Sequence, residues 1–174
     1  MKKFVSILFI LLLYALNAVM AQESGITTVI IVRHAEKESV PESSGGTNMM
    51  QHDVNLTEAG ENRAAKLADM LSKSNVSAVF STNTTRTIET VNNYADRRGI
   101  KIIIYDDPDS LAENIKSNYR GRKILVSAHS NTIGPLLSAF GADSIPKIDH
   151  DYYSGFFVLT ISAEGEVSLL HLEY

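Results

Sequence analysis

Short blocks of β-branched residues alternate with amphipathic stretches along most of this chain. Thr27 to Val32 is a continuous β-branched run, the pattern of a strand buried on both faces, as in a parallel sheet. Val76 to Phe80, Lys101 to Tyr105 and Lys123 to Ser127 repeat the pattern and predict three further strands. Between them, Thr57 reads as a helix N-cap, with Ala64, Leu67, Ala68 and Leu71 forming one apolar stripe at helical spacing. A second helix is predicted from Thr85 to Arg98, stopped by Gly99. Asp106-Asp107-Pro108-Asp109 reads as a break, followed by a helix over Ser110 to Tyr119. A last helix is expected from Thr132 to Phe140. The C-terminal pattern differs, with Phe156 to Ile161 and Val167 to Leu172 flanking the turn Ala163-Glu164-Gly165-Glu166, a hairpin. The sum is an α/β fold, a three-layer α/β/α sandwich whose mainly parallel sheet ends in an antiparallel C-terminal hairpin.

Two segments stand outside this alternation. Residues 38 to 55 are rich in Ser, Gly, Asn and Glu and predict a long loop. At the N-terminus, a basic Met1-Lys2-Lys3 precedes the apolar stretch Phe4 to Leu16, and Val19-Met20-Ala21 suits cleavage after Ala21. A secretory signal peptide over residues 1–21 is expected, leaving one domain over 22–174. The alternative is a membrane anchor, for which the apolar run is short against the roughly 20 residues of a spanning helix. The expected location is therefore the periplasm or the exterior of a bacterial cell, with no stable membrane insertion after cleavage. The chain has no cysteine, so it carries no disulfide even if exported.

With 44% hydrophobic and 21% charged residues, the composition is that of an ordinary globular protein. A formal net charge of −4 offers no general attraction to nucleic acid, and none is expected as a partner. Anion binding must then come from a local cluster. One exists at the strand ends. Val32-Arg33-His34-Ala35-Glu36-Lys37 follows the first strand, and Val126-Ser127-Ala128-His129-Ser130-Asn131 follows the fourth. Ligands of open parallel sheets sit beyond the carboxyl ends of the strands, so His34, Ser81 and His129 are delivered to one rim. Guanidinium groups match phosphate oxygens as a fork, which makes Arg33 and Arg86 candidate clamps. Imidazole is suited to attack phosphorus near neutral pH. Arginines can supply the positive charge that phosphoryl transfer needs, so no metal or other cofactor is expected.

Val32-Arg33-His34-Ala35-Glu36, Leu56-Thr57-Glu58-Ala59-Gly60, the stretch Ser81 to Thr90 and Ala128-His129-Ser130 resemble, in order, the motifs of the histidine phosphatase superfamily, the phosphoglycerate mutase-like branch 1. The likeness spans nearly all of the chain after residue 21. It implies that His34 is a nucleophile forming a phosphohistidine, and that Arg33, Arg86 and His129 build a phosphate pocket. The implied activity is hydrolysis of small phosphomonoesters, with phosphohistidine as a further substrate, by a metal-independent phosphatase. The alternative is a module that binds a phosphorylated ligand with little turnover. The general acid stays open between Glu36, two residues past the nucleophile, Glu113, or none. Glu36 could equally pair with Lys37 or Arg63. His52 and His171 read as a loop residue and a strand residue, and His150 lies in a polar segment that could border the site.

Overall fold

The structure, a computed structural model, describes residues 25–39 and 53–174. The expected signal peptide, the middle of the expected loop and His52 lie outside the described residues.

The strands are β1 (Thr27–Arg33), β2 (Ala78–Ser81), β3 (Ile102–Ile104), β4 (Lys123–Ala128), β5 (Gly155–Ile161) and β6 (Val167–Glu173). The described helices are α1 (Glu58–Met70), α2 (Thr85–Arg98), α3 (Pro108–Asn118) and α4 (Ser130–Phe140). One six-stranded sheet runs in the order β3-β2-β4-β1-β5-β6. β1 pairs with β4 in parallel and with β5 in antiparallel fashion. β2 runs parallel to both of its neighbours, and β6 closes the sheet antiparallel to β5.

The continuous apolar run of β1 is explained by its central place. Val29 and Ile31 face a core made with Leu111 and Ile115 of α3 and Leu136 and Phe140 of α4. Ile30 and Val32 face the other core, with Leu67 of α1 and Val91 and Tyr94 of α2. Helices therefore cover both faces, and the expected three layers are present. No described helix is long and apolar enough to cross a membrane.

Two helix starts differ from the sequence reading for one physical reason. The Asp107-Pro108 break is itself the beginning of α3. The Asp107 carboxylate accepts from the Ser110 N–H at 2.8 Å, and Pro108 occupies the first turn, where a missing N–H costs nothing. Likewise α4 begins at Ser130, with His129 as its N-cap. Thr132 Oγ1 takes the His129 backbone N–H at 2.9 Å.

Chain order around β1 and β4 creates a crevice. The connection after β1 leads to α1 on one face, and β4 leads directly to α4 on the other. This is a topological switch point, where an open α/β sheet leaves a cleft at its strand ends. β5 runs against β1 and starts opposite Val32, so the segment before β5 also arrives at this rim.

Candidate active site

His34 leaves β1 with its backbone N–H bonded to the Ala128 carbonyl at 2.9 Å, so the two histidine-bearing strand ends are tied together. The imidazoles of His34 and His129 lie 5.4 Å apart between ring centroids, inclined at 63°. His34 Nδ1 sits 2.8 Å from the Ala35 carbonyl. A carbonyl only accepts, so Nδ1 carries a proton. In the neutral ring Nε2 then keeps its lone pair, which is the state a nucleophile needs. His34 is buried, and burial pushes its pKa down to about 3. The Ala35 bond opposes this shift, while Arg33, His129 and Arg86 add to it. His129 is pushed down to about 4 by burial, then by Arg86 and Arg33. Both rings are therefore neutral at pH 7.

His129 is oriented by hydroxyls. Its Nε2 lies 2.9 Å from Thr82 Oγ1, and Thr82 Oγ1 lies 2.9 Å from Thr87 Oγ1. Thr87 also approaches the carbonyls of Thr82 and Thr84, at 3.0 and 2.9 Å. Thr90 binds the loop after His34: its hydroxyl accepts from the Ala35 N–H at 2.9 Å and donates to the Arg86 carbonyl at 2.7 Å. The Thr-rich stretch from 82 to 90 thus positions the second histidine, the first loop and Arg86 together.

The two arginines carry the electrostatics. Arg33 is only 2% exposed, and burial lowers its pKa below the ordinary arginine value. Its Nη1 donates to the carbonyls of Asp149 and Tyr152 at 3.3 and 3.2 Å, and the Tyr153 ring lies 4.1 Å from its Cζ. Burial lowers the Arg86 pKa as well. Four buried side-chain polar atoms among the described residues have no hydrogen-bond partner, and two of them are Arg33 Nε and Arg86 Nε. A buried donor left unpaired costs about 1–3 kcal/mol. Two such donors, one on each guanidinium, suit an anion with several oxygens.

Glu36 has a different place from the one expected of a proton donor. Arg63 Nε donates to both of its oxygens at 2.9 and 3.1 Å, and Arg63 Nη2 adds a bond of 2.7 Å. This bond to Arg63 holds the Glu36 carboxyl below its usual pKa. Paired in this way, the carboxylate joins the end of β1 to α1. The Arg63 pairing named as an alternative in the sequence is the one observed. Arg63 also donates to the Tyr174 carbonyl at 2.8 Å. Backbone reinforces the joint. The Glu36 carbonyl accepts from the Thr57 N–H at 2.9 Å, and a Cβ added at Gly60 would stand 2.1 Å from that same oxygen. Glycine at position 60 lets α1 seat against the loop that follows His34.

Glu113 is exposed on α3. His150 is exposed and pairs with Asp151 at 3.2 Å. His171 lies on β6 and stacks on Phe157 with ring centroids 4.4 Å apart. No group of three or more metal-binding side chains occurs among the described residues. Sequence reasoning missed Tyr153, whose ring borders both Arg33 and His34, the latter at 5.9 Å between centroids. It also missed Thr82 as the partner of His129. The direction of β5 was the available signal for Tyr153, because a strand antiparallel to β1 must start at the catalytic rim.

The model of the histidine phosphatase superfamily, branch 1, matches residues 29–107. Over those residues the chain is similar to this superfamily, and its fold is phosphoglycerate mutase-like. Among solved structures it is similar to the protein histidine phosphatase SixA complexed with tungstate (15% identity, 84% of this chain and 96% of that one, TM-score 0.65). It is similar to phosphoserine phosphatase from Entamoeba histolytica in complex with 3-phosphoglyceric acid (14% identity, 85% and 97% covered, TM-score 0.65). A mycobacterial glucosyl-3-phosphoglycerate phosphatase matches comparably (14% identity, 86% and 98% covered, TM-score 0.62). No curated protein matches the chain in sequence.

Proposed function

We propose that this protein is a phosphatase that hydrolyses small phosphomonoesters through a phosphohistidine on His34. His34 Nε2 attacks phosphorus, the bond from phosphorus to the leaving oxygen breaks, and the leaving group takes up a proton. Water then attacks the phosphorus of phospho-His34, releasing phosphate and restoring the imidazole. Arg33 and Arg86 bind the phosphoryl oxygens throughout. A bound dianion raises the pKa of His129 by direct attraction, so His129 donates a hydrogen bond to the same group. The observation that carries this reading is the pair of unpartnered guanidinium Nε donors beside an imidazole whose Nδ1 is committed to Ala35.

Glu36, the carboxyl nearest the nucleophile in sequence, is held ionised by Arg63. The reading therefore favours substrates with good leaving groups, aryl phosphates or the phosphoramidate of phosphohistidine. The basic, apolar and small-residue order of the first 21 residues supports export to the periplasm or beyond. Export would put soluble phosphomonoesters within reach and intracellular phosphohistidine proteins outside it.

The test is release of p-nitrophenol from p-nitrophenyl phosphate by the purified protein. His34→Ala is expected to abolish release, and acid-labile phosphate should be trapped on the wild type and not on the variant. EDTA should leave the rate unchanged. Comparable activity in His34→Ala, or inactivation by EDTA, would remove the mechanism. Phosphate binding without turnover across a panel of esters would make the protein a binding module instead.

A further inference from the structure

The segment Asp149–Tyr153 crosses the rim just before β5 and touches Arg33 in three ways. Carbonyls of Asp149 and Tyr152 both accept from Arg33 Nη1, and the Tyr153 ring covers the guanidinium. A guanidinium offers a planar anion two usable edges, the Nη1–Nη2 end and the Nε–Nη2 side. The segment occupies Nη1, so the end edge is spent. The side edge remains, and its Nε is buried without a partner. This strap therefore selects the edge of Arg33 that a phosphoryl group meets.

The strap is fastened at a distance from the anion. The Tyr152 hydroxyl lies 2.9 Å from Glu173 Oε1 and 2.9 Å from His171 Nε2, both on β6. A phenol has one proton. It donates to the carboxylate and accepts from the Nε2–H of His171. Phe157 sits opposite His171 in the β5–β6 register, and their rings stack at 17°. Tyr152 thus has its hydroxyl fixed by the outer hairpin and its carbonyl bonded to Arg33. None of these three side chains was expected to act in the site.

We propose that Tyr152, His171 and Glu173 are positioning residues that, through the strap carbonyls, aim the Nε–Nη2 edge of Arg33 at the phosphoryl group and so set its affinity. The inference rests on the anion site of the proposed function but not on turnover. A hairpin contact with no such role would contribute to folding stability alone.

The test is calorimetric binding of inorganic phosphate to the full chain at fixed ionic strength and pH 7. Tyr152→Phe removes the shared hydroxyl and is expected to raise the phosphate Kd about fivefold to tenfold, the usual size of coupling between contacting groups. In an Arg33→Lys background the same change should alter Kd less than twofold, because an ammonium has no edge to aim. An equal loss in that background, or an unchanged Kd with a lowered melting temperature, would overturn the proposal. If Tyr152→Phe loses its cooperative melt, Glu173→Ala reads the same coupling against Arg33→Lys. Failure of p-nitrophenyl phosphate hydrolysis with phosphate binding intact would count against the phosphatase reading only. Failure of the wild type to bind phosphate would overturn both.

Discussion

Lowering the pH from 7.0 to 4.5 is expected to destabilise this protein through His34, which is buried, and His129, which is half-buried, by an amount that single substitutions can isolate. In the unfolded chain a histidine titrates near pH 6.5. In the folded protein His34 is held at about 3 and His129 at about 4. The folded state therefore binds fewer protons than the unfolded state between these values, and acid favours unfolding. The contribution is complete above pH 6.5 and drains away as the pH falls towards 3 or 4. At 1.36 kcal/mol for each pH unit, the two units from 6.5 to 4.5 amount to about 2.5 kcal/mol for each histidine. Urea unfolding followed by circular dichroism at both pH values, in buffers free of phosphate, measures the loss. His34→Gln should lose about 2 kcal/mol less than the wild type over this interval, with carboxylate contributions cancelling in the difference. Saturating phosphate should shrink the acid sensitivity of the wild type, since an anion offsets the charge of a protonated ring. A difference below about 0.5 kcal/mol between wild type and variant would mean that His34 is not held neutral by its surroundings.

Three further outcomes are expected. Arg86→Ala should weaken inorganic phosphate binding more than Arg86→Lys, which keeps the charge and loses the fork, and equal losses would remove bidentate geometry from the account. Gly60→Ala should lower stability by more than about 2 kcal/mol in a thermal melt, because its Cβ would stand 2.1 Å from the Glu36 carbonyl oxygen, and a neutral effect would mean that α1 shifts freely. Glu36→Gln should leave kcat for p-nitrophenyl phosphate within about threefold while costing about 1 kcal/mol of stability through the weakened bond to Arg63, and a hundredfold loss of kcat would return Glu36 to the role of proton donor.

The strands were legible because a centrally placed parallel strand needs apolar residues on both faces, and β1 and β4 have them. Their order along the chain, with a histidine after each, was enough to place His34 and His129 on one rim. The start of α3 was misread because Asp-Pro is both a breaker and a good helix opening, and only the Ser110 bond to Asp107 distinguishes the two. The fate of Glu36 depended on whether Arg63, a turn and a half into α1, faced the loop, which a 3.6-residue period leaves undecided without knowing how α1 packs. Tyr152 and Tyr153 sit in an irregular segment with no periodicity to assign them a face. Their contacts with Arg33 bridge more than a hundred residues, and nothing local in the chain encodes them.

β1 is the first of the described strands along the chain, yet it is paired on one side by β4 and on the other by β5. His34, which follows it, meets His129 and Tyr153 only after β4 and the segment before β5 are in place. A chain that ends before β4 holds Arg33 and His34 without the neighbours that surround them here. Such non-local pairing slows folding, and it makes the neighbourhood of His34 a readout of complete sheet assembly.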